Sequence, residues 1–235
     1  MPKTGVLLIN LGTPDSPSVK DVRRYLFEFL NDPRVINISP IARFFLVNFI
    51  IVPFRAPKSA KIYRKLWIGQ GPPAGVQGSP IIIYGESVKK KLQDALGINY
   101  GIELAMRYQN PNLDDVVRAM EKKNYNKIII IPMFPQYASA STGSAIEKAI
   151  NLISKWWVIP EIKIISQFYD NEGYLNTIVE QAKKYNLNDY DHVLFSYHGL
   201  PVRQVDKVYG DGRLCEEHNC ETEITTENKY CYKAA

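Results

Sequence analysis

Cysteine is scarce in this 235-residue chain, with three residues at positions 215, 220 and 231. An odd number confined to one short stretch excludes the disulfide framework of a small secreted domain. Histidine is equally scarce, at 192, 198 and 218, so imidazole chemistry has few candidates. The net charge is +5, and the excess lies in scattered helical lysines such as Lys89 to Lys91, Lys122, Lys123, Lys183 and Lys184. That dispersal lacks the clustered basic face of a nucleic-acid binder, so no nucleic-acid partner is expected. Neither GxxxxGK[ST] nor GxGxxG occurs, which leaves nucleotide binding unsupported. The most apolar segment, "IARFFLVNFIIVPF" (41–54), is interrupted by Arg43, Asn48 and Pro53 and falls short of the ~20 apolar residues of a span. It reads as a buried helix or, given how little polar face it keeps, as an exposed greasy lip. The start, "MPKTGVLLINLG", enters a strand at once and is too short for a signal peptide, so a reducing cytoplasmic setting is expected.

What is present is an alternation. Unbroken apolar runs at 5–10, 101–106, 127–133, 161–166 and 192–197 read as strands of a parallel sheet covered on both faces. Between them lie segments of helical period. Val88, Leu92, Ala95 and Leu96 form one stripe; Ile146, Ile150 and Ile153 a second; Leu175, Ile178, Val179 and Ala182 a third. "NLDDVVRAMEKK" opens with an Asn-x-x-Asp pattern like a capping box. The fold class is therefore α/β, a Rossmann-like parallel sheet with helices on both faces. Residues 14–86 form a long insertion after the first strand. Residues 206–235 are polar, aperiodic and hold all three cysteines, as expected of a chain that continues further.

Chemistry is expected in the loops after the strands. Gly12 of "NLGTPDS" permits close approach of backbone to a ligand. Arg107 and Tyr108 follow the second strand, Tyr137 and a run of small hydroxyl residues the third, and His198 the fifth. That hydroxyl run reads equally as an anion cradle or as a plain helix cap. His198 is either a structural histidine at a strand end or a metal ligand or proton acceptor, since imidazole titrates near neutrality. His192, at the start of the same run, reads as structural. The spacing C-x4-C-x10-C of Cys215, Cys220 and Cys231 suits either a metal cluster completed by a further ligand or three plain thiols.

Four stretches together resemble one family. "LLINLGTPDSPSVKDVRRYLFEFLNDPRVI", "MRYQNP", "PMFPQYASASTGS" and "LFSYHGLP" occur in the order found in ferrochelatases, and the resemblance covers residues 5 to about 205. It implies insertion of ferrous iron, the substrate metal, into protoporphyrin IX or coproporphyrin III for haem biosynthesis. It implies two similar half-domains, here residues 1–190 and the beginning of a second at 191–235. By that resemblance His198 receives the iron or the pyrrole protons. Leu11, Arg55, Tyr63, Ser79, Arg107, Tyr108 and Tyr137 are the matching porphyrin contacts. The stretch 41–54 matches a lip that guards the cleft and can touch a membrane surface. The cysteine segment is similar to an insertion in some bacterial members whose four cysteines hold a [2Fe–2S] cluster. Two departures stand out. The segment between Tyr63 and Ser79 is longer than in compact members, and the acidic partner of the histidine belongs to a second half that is not in these residues. Little or no insertion by the chain alone is therefore expected. The alternatives are a cobalt or nickel chelatase of another tetrapyrrole and a non-catalytic porphyrin-binding protein.

Overall fold

The computed structural model describes residues 3–67, 78–218, 220 and 224–235. The longer segment between Tyr63 and Ser79 falls mostly on 68–77, outside the described residues. The chain divides into two compact units: Met1–Met133 with Ser139–Ser166, and Phe134–Ala138 with Gln167–Ala235.

The first unit is built on a four-stranded parallel sheet of order β2-β1-β3-β4. Its strands are β1 (Thr4–Gly12), β2 (Tyr100–Tyr108), β3 (Lys127–Pro132) and β4 (Glu161–Ile164). Val6, Leu7, Leu8 and Ile9 of the central strand are consecutively buried. Burial without alternation means that both faces are covered, which is why a two-residue period is missing from the sequence. β4, at an edge, does alternate: Glu161 and Lys163 are exposed while Ile162 and Ile164 are half-buried.

Helix α1 (Val19–Asn31) begins at Ser18, whose hydroxyl accepts from the Asp21 N–H at 3.1 Å. It buries Val22, Tyr25, Leu26 and Leu30. Helix α2 (Pro40–Phe45) continues through a π-helical turn (Leu46–Ile51) into α3 (Val52–Leu66) as one 27-residue helix. The Val52 N–H bonds the Val47 carbonyl, five residues back. Pro53 follows directly, and its ring excludes the ordinary α-helical bond to residue 49, so the turn widens ahead of it. Val52, Ala56 and Ala60 give α3 a narrow buried stripe that packs with α1. Ile41, Phe44, Phe45, Phe49, Ile50 and Phe54 stay exposed. The stretch 41–54 is thus a greasy lip rather than a buried helix. By length and composition the whole helix could cross a membrane. However, its second half carries Arg55, Lys58, Lys61, Arg64 and Lys65, all exposed, and its small residues are spent on α1.

Helix α4 (Pro80–Leu96) lies against β2, with Gly85 close to Leu104. Of its expected stripe, Leu92 packs into the sheet while Val88 and Leu96 stay partly exposed. Helix α5 (Leu113–Glu121) is capped by Asn112, which accepts from the Asp115 N–H at 2.8 Å and donates to the Asp115 carboxylate at 2.7 Å. Helix α6 (Ser144–Ile153) follows a π-helical turn (Ser139–Gly143). It buries Ser144, Ala145, Ala149 and Ile153, so small residues set its packed face and Ile150 points outward, contrary to the stripe expected.

The second unit contains α7 (Glu172–Ala182), the single turn α8 (Val202–Val205) and several 3-10 turns. The fifth strand expected at 192–197 is not formed. None of those residues has a backbone hydrogen-bond partner among the described residues. A strand exists only through lateral pairing, whatever its hydrophobicity. Leu194 is 89% exposed, and Val193, Phe195 and Tyr197 are exposed with it. Leu175, Ile178 and Val179 of α7 are exposed too.

Candidate functional site

The carboxyl ends of β1 and β2 are the best-built polar part of the first unit. Asn10 pairs with Met106 and Gly12 with Tyr108, which sets Leu11 level with Arg107. Gly12 has φ +113°, and a Cβ there would lie 2.0 Å from the Tyr108 carbonyl oxygen. Glycine is needed there for the approach of one strand end to the other.

Below these strand ends sits Asp32, the residue that ends α1. Its Oδ2 accepts from Arg107 Nη2 at 2.6 Å, the Tyr108 hydroxyl at 2.8 Å and Ser144 Oγ at 2.6 Å. Its Oδ1 accepts from the Arg34 N–H at 2.8 Å. The Asp32 side chain is 4% exposed and that of Arg107 18%. Arg107 Nε also donates to Ser144 Oγ at 2.7 Å, and its guanidinium lies 4.5 Å from the Tyr108 ring centroid. Burial alone would raise the Asp32 pKa. The hydrogen bonds from Ser144, the Arg34 backbone and Tyr108, with the charge of Arg107, outweigh it and hold the carboxyl below its ordinary value. Burial pushes the Tyr108 hydroxyl in the opposite direction, well above the ordinary tyrosine value.

An aromatic cluster continues from Tyr108. Tyr25 meets Tyr63 edge-on at 6.1 Å and Tyr108 at 6.5 Å, and Phe29 meets Tyr108 at 5.3 Å. Leu11 and Tyr63 pack against this same core. Burial raises both Tyr25 and Tyr63, while the charge of exposed Arg55 works against that rise at both rings. Ser79 is buried and accepts from the Thr13 hydroxyl at 2.9 Å. Although it stands at the start of α4, its side chain does not cap the helix.

Arg107 also lines a polar cavity of about 270 Å³ together with Arg24, Glu28, Gln109, Asp114 and Lys148. Its other polar side chains are partnered: Arg24 pairs with Asp15 and donates to Gln109, Gln109 donates to Glu28, and Lys148 pairs with Asp114 at 3.0 Å. Such a cavity suits waters or a small acceptor group rather than an apolar ring.

In the second unit, Tyr137 meets Tyr230 edge-on at 5.5 Å. His198 is exposed, in chain without regular structure between Tyr197 and Gly199. Cys215, Cys220 and Cys231 are buried and free. Burial raises the Cys215 thiol above its ordinary value, and the other two cysteines add to the rise. Among the described residues no three His, Cys, Asp or Glu side chains form a group that could hold a metal. The arrangement of the described residues gives no support to the [2Fe–2S] cluster that the resemblance implies. His218 is instead stacked on Tyr209 at 3.6 Å.

The Ferrochelatase family model matches residues 3–230. The chain belongs to the ferrochelatase family. The Legionella pneumophila (strain Corby) ferrochelatase is 42% identical over 232 residues, 99% of this chain and 66% of the relative. The Coxiella burnetii (strain CbuK_Q154) ferrochelatase is 37% identical over 234 residues, 99% of this chain and 63% of the relative. The chain thus spans a little under two thirds of these relatives. Of the residues singled out from sequence, the first unit brings Leu11, Tyr63, Arg107 and Tyr108 together, with Arg55 in electrostatic reach and Ser79 tied to Thr13. Sequence reasoning missed Asp32, Ser144, Tyr25 and Thr13. Asp32 precedes Pro33 and reads as a helix stop, which hides a buried carboxylate.

Proposed function

We propose that this chain serves the insertion of Fe2+ into a porphyrin, protoporphyrin IX or coproporphyrin III, as a metal-inserting lyase of haem biosynthesis. The family match over residues 3–230 carries the reading. Insertion removes two pyrrole protons and needs donor groups fixed around a large apolar ring. In this reading Leu11, Tyr63 and the aromatic cluster meet the ring, Arg55 and Ser79 meet its carboxylates, and Arg107 presents ordered donors toward it. Tyr108, expected from sequence as a contact, is 1% exposed with its hydroxyl donated to Asp32 and supports Arg107 from behind. Tyr137 adds a further ring contact. His198 takes the pyrrole protons or receives the iron, a role that rests on the "SYHGLP" motif. Binding of the ring's apolar body offsets the distortion that exposes the nitrogen lone pairs. The exposed aromatic residues of 41–54 suit peripheral contact with a membrane surface, with the protein otherwise cytoplasmic. No iron–sulfur cluster enters this reading.

The test is a titration of protoporphyrin IX followed by its Soret band. It is made on this chain and on a version carrying the remaining third of the Legionella relative, with Fe2+ then added without oxygen. A saturable shift in both and iron insertion in the extended version are expected. No Soret shift with folded protein contradicts the reading. Binding without insertion in the extended version reduces it to a porphyrin carrier.

A further inference from the structure

We propose that Asp32 is a positioning residue that, with the buried Tyr108 behind it, locks Arg107 in one orientation before the porphyrin arrives; this rests on the reading that Arg107 faces the substrate. An ionised carboxylate is an acceptor only, with about four lone-pair sites. Asp32 receives four donors: Arg107 Nη2, the Tyr108 hydroxyl, Ser144 Oγ and the Arg34 N–H. It is saturated and buried, so it has neither a lone pair nor access to offer a reacting group. What it can do is orient its neighbours.

The consequence for Arg107 is specific. Two of its three nitrogens are held, Nη2 by Asp32 and Nε by Ser144. Its guanidinium plane is also held over the Tyr108 ring. Nη1 has no partner among the described residues, and Arg107 forms part of the wall of the polar cavity of about 270 Å³. A flexible side chain with a fixed fork and one nitrogen, Nη1, open is pre-organised for an acceptor on the substrate, because its rotamer entropy is already lost. The Tyr108 hydroxyl is likewise tied down, and kept protonated. Ser144 serves as the hinge of the set, bonding both Arg107 and Asp32. Two of the holders, Asp32 and Ser144, come from the end of α1 and the start of α6, far from Arg107 in sequence, so the set forms only once this unit has folded.

The experiment is a cycle of porphyrin titrations on this chain. Asp32→Asn keeps the shape but replaces one acceptor oxygen by a donor group facing donors. It is expected to weaken protoporphyrin IX binding about tenfold, in line with loss of a hydrogen bond to a charged group. In a chain already carrying Arg107→Ala and Tyr108→Phe, the same change is expected to cost less than about twofold, because Asp32 then has nothing to position. Thermal melting checks that each variant is folded. If Asp32→Asn does not fold, Ser144→Ala takes its place in the cycle, with an expected loss of roughly threefold. Unchanged affinity in a folded variant, or an equal loss in both backgrounds, overturns the proposal while leaving the function intact. Absence of binding by the unaltered chain overturns both.

Discussion

Asp32 and His198 are both polar side chains that a porphyrin enzyme would find useful, yet their surroundings are opposite. Asp32 lies in the first unit, buried, with four donors on its two oxygens. His198 lies in the second unit, exposed, on a segment whose backbone from 192 to 197 forms no ladder. The first residue's role follows from geometry: remove it and three polar neighbours lose their common acceptor. The second residue's role follows from a motif, since among the described residues no hydrogen bond or ion pair fixes the imidazole. The contrast shows that a site is built where secondary structure supplies rigid neighbours, and that a reactive residue type is not yet a site.

The largest effect should separate these two residues. Asp32→Ala strands the Arg107 charge in a buried place and is expected to cost about 3–5 kcal/mol of stability. His198→Ala should change stability by less than about 0.5 kcal/mol, as an exposed substitution does. Urea unfolding of the two variants reads both; similar losses would erase the contrast. The same comparison can be drawn with apolar residues. Ile130, fully buried in β3, should cost about 2–5 kcal/mol when cut to alanine. Leu194→Ala should be close to neutral, although both lie in apolar runs that look alike in sequence. A large loss at Leu194 would mean that the 192–197 segment pairs in solution.

A smaller effect concerns pH. The folded-state pKa of Asp32 is depressed below 3.8. The stability it contributes is therefore fully present above its unfolded value and is lost as pH falls through the folded one. Acid titration of the melting temperature should show the unaltered chain losing stability below about pH 4, and Asp32→Asn losing less over that range. Parallel curves would assign the acid loss to other carboxylates.

How much of this could be read from the sequence depended on the kind of interaction. Four strands were legible because unbroken runs such as "GVLLIN" and "KIIII" have one physical use in a soluble chain, a sheet covered on both faces. The run "HVLFSY" has the same composition and forms no strand, because composition states hydrophobicity and not the presence of a pairing partner. Arg107 and Tyr108 were legible because they follow such a run, whereas Leu11 was named only through the family motif. Ser144 and Asp32 were not: one looked like a helix cap and the other like a helix stop, and only folding brings them within 2.6 Å of each other. The small residues Ala145 and Ala149 carry the packed face of α6, where the eye goes to isoleucine. The cysteine spacing left ligands and plain thiols both open; the folded segment buries three free thiols, and among the described residues they form no metal-holding group.

The central claim is that the polar wall at the ends of β1 and β2 meets a porphyrin. The most direct measurement is the Soret titration of protoporphyrin IX into this chain beside its Arg107→Ala variant, both verified as folded. The account predicts saturable binding by the unaltered chain and binding weakened roughly tenfold or more by the variant. No saturable binding, or equal affinity in the two, would contradict it.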